Sequence, residues 1–125
     1  MVASIEGSTK ALLSMALDAT VMRQQAIAQN IANANTPGYR AIDVSFEEQL
    51  SGLREGLESG QGVTKEALAG LEPRFVADQA ASGGDGAVSL EMQLAKLSEN
   101  TLHQQILLKM LNTHFAIMNS AMKQG

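Results

Sequence analysis

Cysteine and tryptophan are both absent from this chain of 125 residues, and one Tyr and three Phe make up its aromatic complement. Without thiols there are no disulfides, no thiolate nucleophile and none of the usual zinc sites. Few aromatics in so short a chain mean at most one small domain with an aliphatic core. No apolar run approaches the ~20 residues that a membrane span needs. No basic head followed by an apolar core and a small-residue cleavage site opens the sequence, so a Sec-type signal is not expected. Positive charge is also scarce: 9 Lys and Arg stand against 13 Asp and Glu, for a net charge of −4. With no basic cluster, no nucleic-acid partner is expected.

The residues present favour helix, being rich in Ala, Leu, Met, Gln and Glu, while Val and Tyr are too few for a sheet protein. A first helix is predicted over about residues 8–35, with Ser8 or Ser4 as its cap. Leu12, Met15, Ala19, Met22 and Ala26 recur at steps of three and four along one face. Leu13, Leu17, Val21, Ala28 and Ile31 form a second apolar face, so neighbours are expected on two sides. A second helix is predicted over about residues 89–122. There Leu90, Leu94, Leu97, Thr101, Gln104, Leu108, Leu111, Phe115, Met118 and Met122 follow a heptad-like course. Thr101 and Gln104 interrupt it, either fixing register or facing water. Leu102, Ile106, Leu107, Met110, Ile117 and Ala121 spread apolar surface around the rest of that helix.

At ~1.5 Å per residue both helices run about 40 to 50 Å, matched for pairing. The expected fold is all-α: long N- and C-terminal helices packed as an antiparallel hairpin or coiled coil, joined by a loop-rich middle with little strand. The organisation reads as 1–36 for the first helix, 37–87 for a loop and flexible middle, and 88–125 for the last helix. Within the middle, 42–57 reads as a short strand or loop followed by a polar helix. Arg74 to Ala77 reads as a strand, and the Gly-rich run 80–86 as a flexible connector. At roughly 1.5–3 kcal/mol per fully buried Leu, Ile or Met, an unsatisfied second stripe leaves on the order of 10 kcal/mol for assembly. The isolated chain is therefore expected to be marginal.

Catalytic and metal chemistry find little support. His103 and His114 share a helix face but lie about 16 Å apart along its axis, too far to hold one metal. Glu99 and His103 stand at helical i, i+4 spacing, which also describes an ordinary solvated pair. Glu47 and Glu48 point to different sides of any regular element, and no Ser or Thr is marked as an activated nucleophile. The seven Met residues fall largely on the apolar helix faces, as packing filler. No cofactor and no metal are expected.

The most specific stretch is Asn30-Ile31-Ala32-Asn33-Ala34-Asn35-Thr36-Pro37-Gly38-Tyr39. It ends the first helix abruptly. Asn suits a last turn because it tolerates the left-handed region and bonds nearby backbone. Pro37 removes a donor and pushes Thr36 to an extended geometry, and Gly38 supplies the positive φ of a type II turn. Together with Ala16-Leu17-Asp18 and Arg23-Gln24-Gln25-Ala26-Ile27-Ala28-Gln29 before it, this stretch resembles the N-terminal signature of the bacterial flagellar rod and hook proteins. The continuation from Tyr39 through Leu50 is similar to the proximal rod members, and the block from Gly86 to Asn100 is similar to the opening of their C-terminal helix. Departures from the family pattern fall at Ala87, Gln93-Leu94 and His103-Gln104.

The resemblance implies a structural subunit of the flagellar basal body. Its terminal helices would pack into a shaft that carries motor torque to the hook and filament. Implied partners are copies of itself, other flagellar rod proteins, and base or export-gate components at the membrane end. The implied location is a rod crossing the periplasm, reached without a cleaved signal through the flagellum-specific type III apparatus. The subunit interface would involve Leu12, Leu13, Met15, Leu17, Val21, Met22, Ile27, Ile31, Leu97, Leu108, Leu111, Phe115, Met118 and Met122. The turn motif Asn30, Asn33, Asn35, Thr36, Pro37, Gly38 and Tyr39 would direct the chain outward to an adjacent subunit. A soluble helical adaptor or export-chaperone-like protein, binding one partner helix, is the alternative.

Overall fold

In a computed structural model, residues 2–60, 68–79 and 88–124 are described. In chain order they form α1 (Val2–Ala32), β1 (Ile42–Ser45), α2 (Glu47–Glu58), β2 (Arg74–Ala77) and α3 (Leu90–Gln124). The protein is thus mostly helical, with long helices at both ends. The expected connector at 80–86 lies outside the described residues.

The middle has more order than a loop. The stretch left open as strand or loop forms β1, and it pairs antiparallel with β2, with Ile42 opposite Ala77 and Val44 opposite Phe75. The ladder extends one step further, Asp78 N–H donating to the Ala41 carbonyl at 3.0 Å. A two-stranded sheet is marginal alone. This one is held because β1 lies along α1: Val44 and Phe46 join Ala19, Ala26 and Leu71 in the buried core. Leu12, Met15, Ala16, Met22, Ile42, Leu50, Leu53 and Leu68 pack around them. The first apolar face of α1 therefore meets the chain's own middle segment. The small residues Ala19 and Ala26 let Phe46 approach the helix closely.

Local chemistry sets each element's ends. The Phe46 carbonyl accepts the first α2 bond, from Leu50 N–H at 3.1 Å. Glu47 and Glu48 then fill the first turn, where the helix dipole favours acids. Gln49 clamps α2 to the approach to β2: its amide donates to the Glu72 carbonyl at 2.8 Å and accepts from Glu72 N–H at 3.1 Å. Ser89 caps α3, its hydroxyl oxygen accepting from Met92 N–H at 3.3 Å.

Contacts between the terminal helices link high positions on one to low positions on the other. Asn30 meets Gln93, Thr20 meets Asn100, and the Lys10 ammonium lies 5.6 Å from the centre of the Phe115 ring.

Phe46 is 2% exposed at the centre of this core, whereas Ile117 is 63% exposed. Phe46→Ala should lower stability by about 3–5 kcal/mol, and Ile117→Ala should stay within about 0.5 kcal/mol. Urea unfolding of the two variants, followed by circular dichroism, measures both.

Candidate functional site

The turn motif is the first element of the site. Asn33 N–H and Asn33 Nδ2 both donate to the Gln29 carbonyl, at 3.1 and 2.9 Å, and the helix then tightens, Ala34 N–H reaching Ile31 O at 3.3 Å. Thr36 N–H then reaches Asn33 O at 3.0 Å, and the Thr36 hydroxyl donates to Asn33 Oδ1 at 3.2 Å. Tyr39 N–H bonds Thr36 O at 3.2 Å across Pro37-Gly38, and Gly38 has φ of +77°. This is the type II geometry that the sequence demanded. The asparagines do not use the left-handed region, since no non-Gly residue among those described has positive φ. Side-chain bonds to backbone terminate the helix instead.

Asn30 is the hub of the joint, and its whole amide is committed. Oδ1 accepts from the Tyr39 hydroxyl at 2.8 Å and from Ile42 N–H at 2.9 Å. Nδ2 donates to the Ile42 carbonyl at 2.9 Å and to Gln93 Oε1 at 3.1 Å. Two donors and two acceptors fix the amide orientation and satisfy a side chain that is 1% exposed. One residue thereby ties the end of α1 to the turn, to β1 and to α3. Sequence reasoning expected the turn to send the chain outward. The Asn30 bonds to Ile42 fold it back along α1, and Tyr39 points its hydroxyl inward.

Further polar groups reinforce that path. Arg23 donates to the Val44 carbonyl at 3.2 Å and to Glu47 at 2.8 Å, with Asp43 at 3.5 Å. The Lys96 ammonium meets Asp78 Oδ2 at 2.5 Å and binds α3 to the end of the sheet. Asn100 Nδ2 donates to the Thr20 carbonyl at 2.8 Å.

These contacts show which face of α3 is covered. Gln93 and Asn100 are buried, and Leu97, Gln104, Leu107, Leu111, His114 and Met118 are half-buried. Their spacing alternates four and three. Sequence periodicity found Leu97, Gln104, Leu111 and Met118 on this face but missed Gln93, Asn100 and His114, because polar residues carry no hydrophobic signal. The available clue was a Gln and an Asn set among leucines at helical spacing.

The expected interface residues divide accordingly. Leu13 and Ile27 are buried within the chain, and Leu12, Met15 and Met22 flank its core. Leu17, Ile31, Leu97, Leu111 and Met118 are half-buried, while Val21, Leu108, Phe115 and Met122 are exposed. Leu90, Met92, Leu94, Leu102, Ile106, Met110 and Ile117 of α3 are exposed as well. Between Leu13 and the Ile106–Met110–Ile117 edge runs an open apolar groove of about 400 Å³. Among the described residues no cluster of His, Asp or Glu could hold a metal, and no helix is long and apolar enough to cross a membrane.

Burial pushes the Tyr39 phenol above its ordinary value of 10.0. The folded state thus favours the protonated phenol, whose bond to Asn30 is fully present below pH 10 and lost as pH rises through the raised value. In pH-dependent melting, Tyr39→Phe should flatten that alkaline loss. Asn30→Ala, which removes the partner of four polar groups on Tyr39, Ile42 and the buried Gln93, should cost about 2–4 kcal/mol at neutral pH.

The stretch that builds this joint is also the one with a family match: residues 13–40 fit the family described as flagella basal body rod protein. Over most of its length the chain is similar to curated rod proteins. It is 32% identical to the flagellar basal body rod protein FlgB of Yersinia enterocolitica, covering 88% of this chain and 90% of that one. It is 29% identical to FlgB of Escherichia coli strain K12, covering 88% and 89%. With the match spanning both terminal helices and the joint between them, the chain belongs to the FlgB family and is a structural subunit of the flagellar basal-body proximal rod.

Proposed function

We propose that α1 and α3 pair as an antiparallel hairpin of coiled-coil type, and that this hairpin builds the rod by packing against copies of itself and other rod proteins. The observation that carries this reading is the apolar surface of α3. Ten large hydrophobic residues of that helix are exposed, from Leu90 to Met122. Exposed apolar surface on that scale marks an interaction face in a soluble protein. The alternation of covered positions from Gln93 to Met118 supports the pairing. A hairpin stiffened by the Asn30 joint would transmit torque along its axis, from base to hook. Base or export-gate components would meet it at the membrane end, with the assembled rod crossing the periplasm after export without a cleaved signal.

Subunits joined head to tail propagate, whereas an adaptor saturates in a closed complex. Apolar surface left on both flanks of the covered α3 face supports propagation. The reading is non-catalytic, since the work asked of the chain is to hold shape under load.

Deleting residues 115–125 removes Phe115, Ile117, Met118 and Met122 but leaves the Phe46 core and the Asn30 joint intact. Such a variant should keep its β1–α2 core, lose rod assembly and abolish motility in a strain lacking the wild-type chain. Rods and swimming at wild-type levels would overturn the proposal.

A further inference from the structure

A cleft lined by several charged side chains separates the β1–α2 corner from α3. Its volume is about 350 Å³, and Glu48, Glu99, Asn100 and His103 are among the residues lining it. The charges around it are unbalanced. Arg23 is already shared between Asp43 and Glu47, and Lys96 is held by Asp78. Glu48 on α2 and Glu99 on α3 have no hydrogen-bond or ion-pair partner among the described residues. Asn100 is 2% exposed; its Nδ2 is committed to Thr20 O, and its Oδ1 is a buried acceptor without a partner among the described residues. Turning the amide round would set Oδ1 against the Thr20 carbonyl oxygen at 2.8 Å, acceptor against acceptor, so the orientation stands. An unfilled buried acceptor carries a desolvation penalty that an incoming donor removes.

Two carboxylates and an unfilled amide oxygen call for a guest that is cationic and rich in N–H donors. Anions are repelled, and a metal ion is disfavoured because the described residues hold no cluster able to ligate one. The geometry points to an arginine or lysine side chain of an adjacent rod subunit, inserted between Glu48 and Glu99 with a donor directed to Asn100 Oδ1. This rests on the rod-subunit reading for the source of the guest. The chain itself offers exposed basic residues with no ion pair among the described residues, such as Arg40, Lys109 and Lys123. Charge complementarity between subunits sets register and suppresses wrong pairings.

The test uses the full chain labelled with nitrogen-15 and two probes, N-acetyl-arginine amide and its neutral isostere N-acetyl-citrulline amide. The arginine probe should shift the Asn100 side-chain amide resonance saturably, and the citrulline probe should not. Followed at the His103 backbone amide, the response should vanish in Asn100→Leu, and Glu48→Gln with Glu99→Gln should weaken binding by about tenfold. Equal, non-saturating shifts with both probes would overturn the site. In cells, the double Gln variant should melt like wild type yet assemble fewer rods; normal rods would overturn the neighbouring subunit as the source. Rods in a strain with no copy of this chain would instead contradict the rod-subunit reading itself.

Discussion

Asn30 is the point at which four segments meet, and it does so with one amide whose every hydrogen-bonding position is used. Ile42 takes two of its bonds, so the chain leaving α1 must double back within twelve residues and lie against the helix it has just left. That return delivers Val44 and Phe46 to the alanine-lined face of α1, and the two-stranded sheet then has something to rest on. The fourth bond reaches Gln93, near the start of α3, so the same residue also sets where the last helix begins its run beside the first. Buried polar networks of this kind define a unique arrangement when every member is satisfied.

Away from this joint the balance changes. Near Asn30 the terminal helices are held by Gln93, Asn100, Lys96 and Arg23 through specific polar contacts. Towards the other end the contacts thin to half-buried side chains, while Leu102, Ile106, Met110 and Ile117 stay open. A subunit built in this way has one end organised by its own polar contacts and another that leaves apolar side chains open.

Much of the architecture was legible in the sequence, and the reasons differ by element. Both long helices followed from their periodic apolar faces, and the strand at Arg74–Ala77 from its short Phe-Val core between turn formers. Gly38 followed from turn chemistry. The partner strand at Ile42–Ser45 stayed open because its pattern is four residues long and its burial comes from α1, not from its own alternation. The path of the chain after the turn is not legible locally because it depends on Asn30, whose contacts lie up to 63 positions away. The covered face of α3 was half found: hydrophobic periodicity registers leucines, but Gln93 and Asn100 are buried by hydrogen bonding, which leaves no trace in an apolar pattern. The cleft beside Asn100 was invisible for the same reason.

If the polar joint orders one end of the chain by itself and the far half of α3 is ordered only among neighbouring subunits, native-state amide hydrogen exchange on the isolated chain at low concentration should show it. Strong protection is then expected from Ala19 to Ile31 and along β1, with weak protection in α3 beyond Gln104. Strong and uniform protection through Met122 would contradict it.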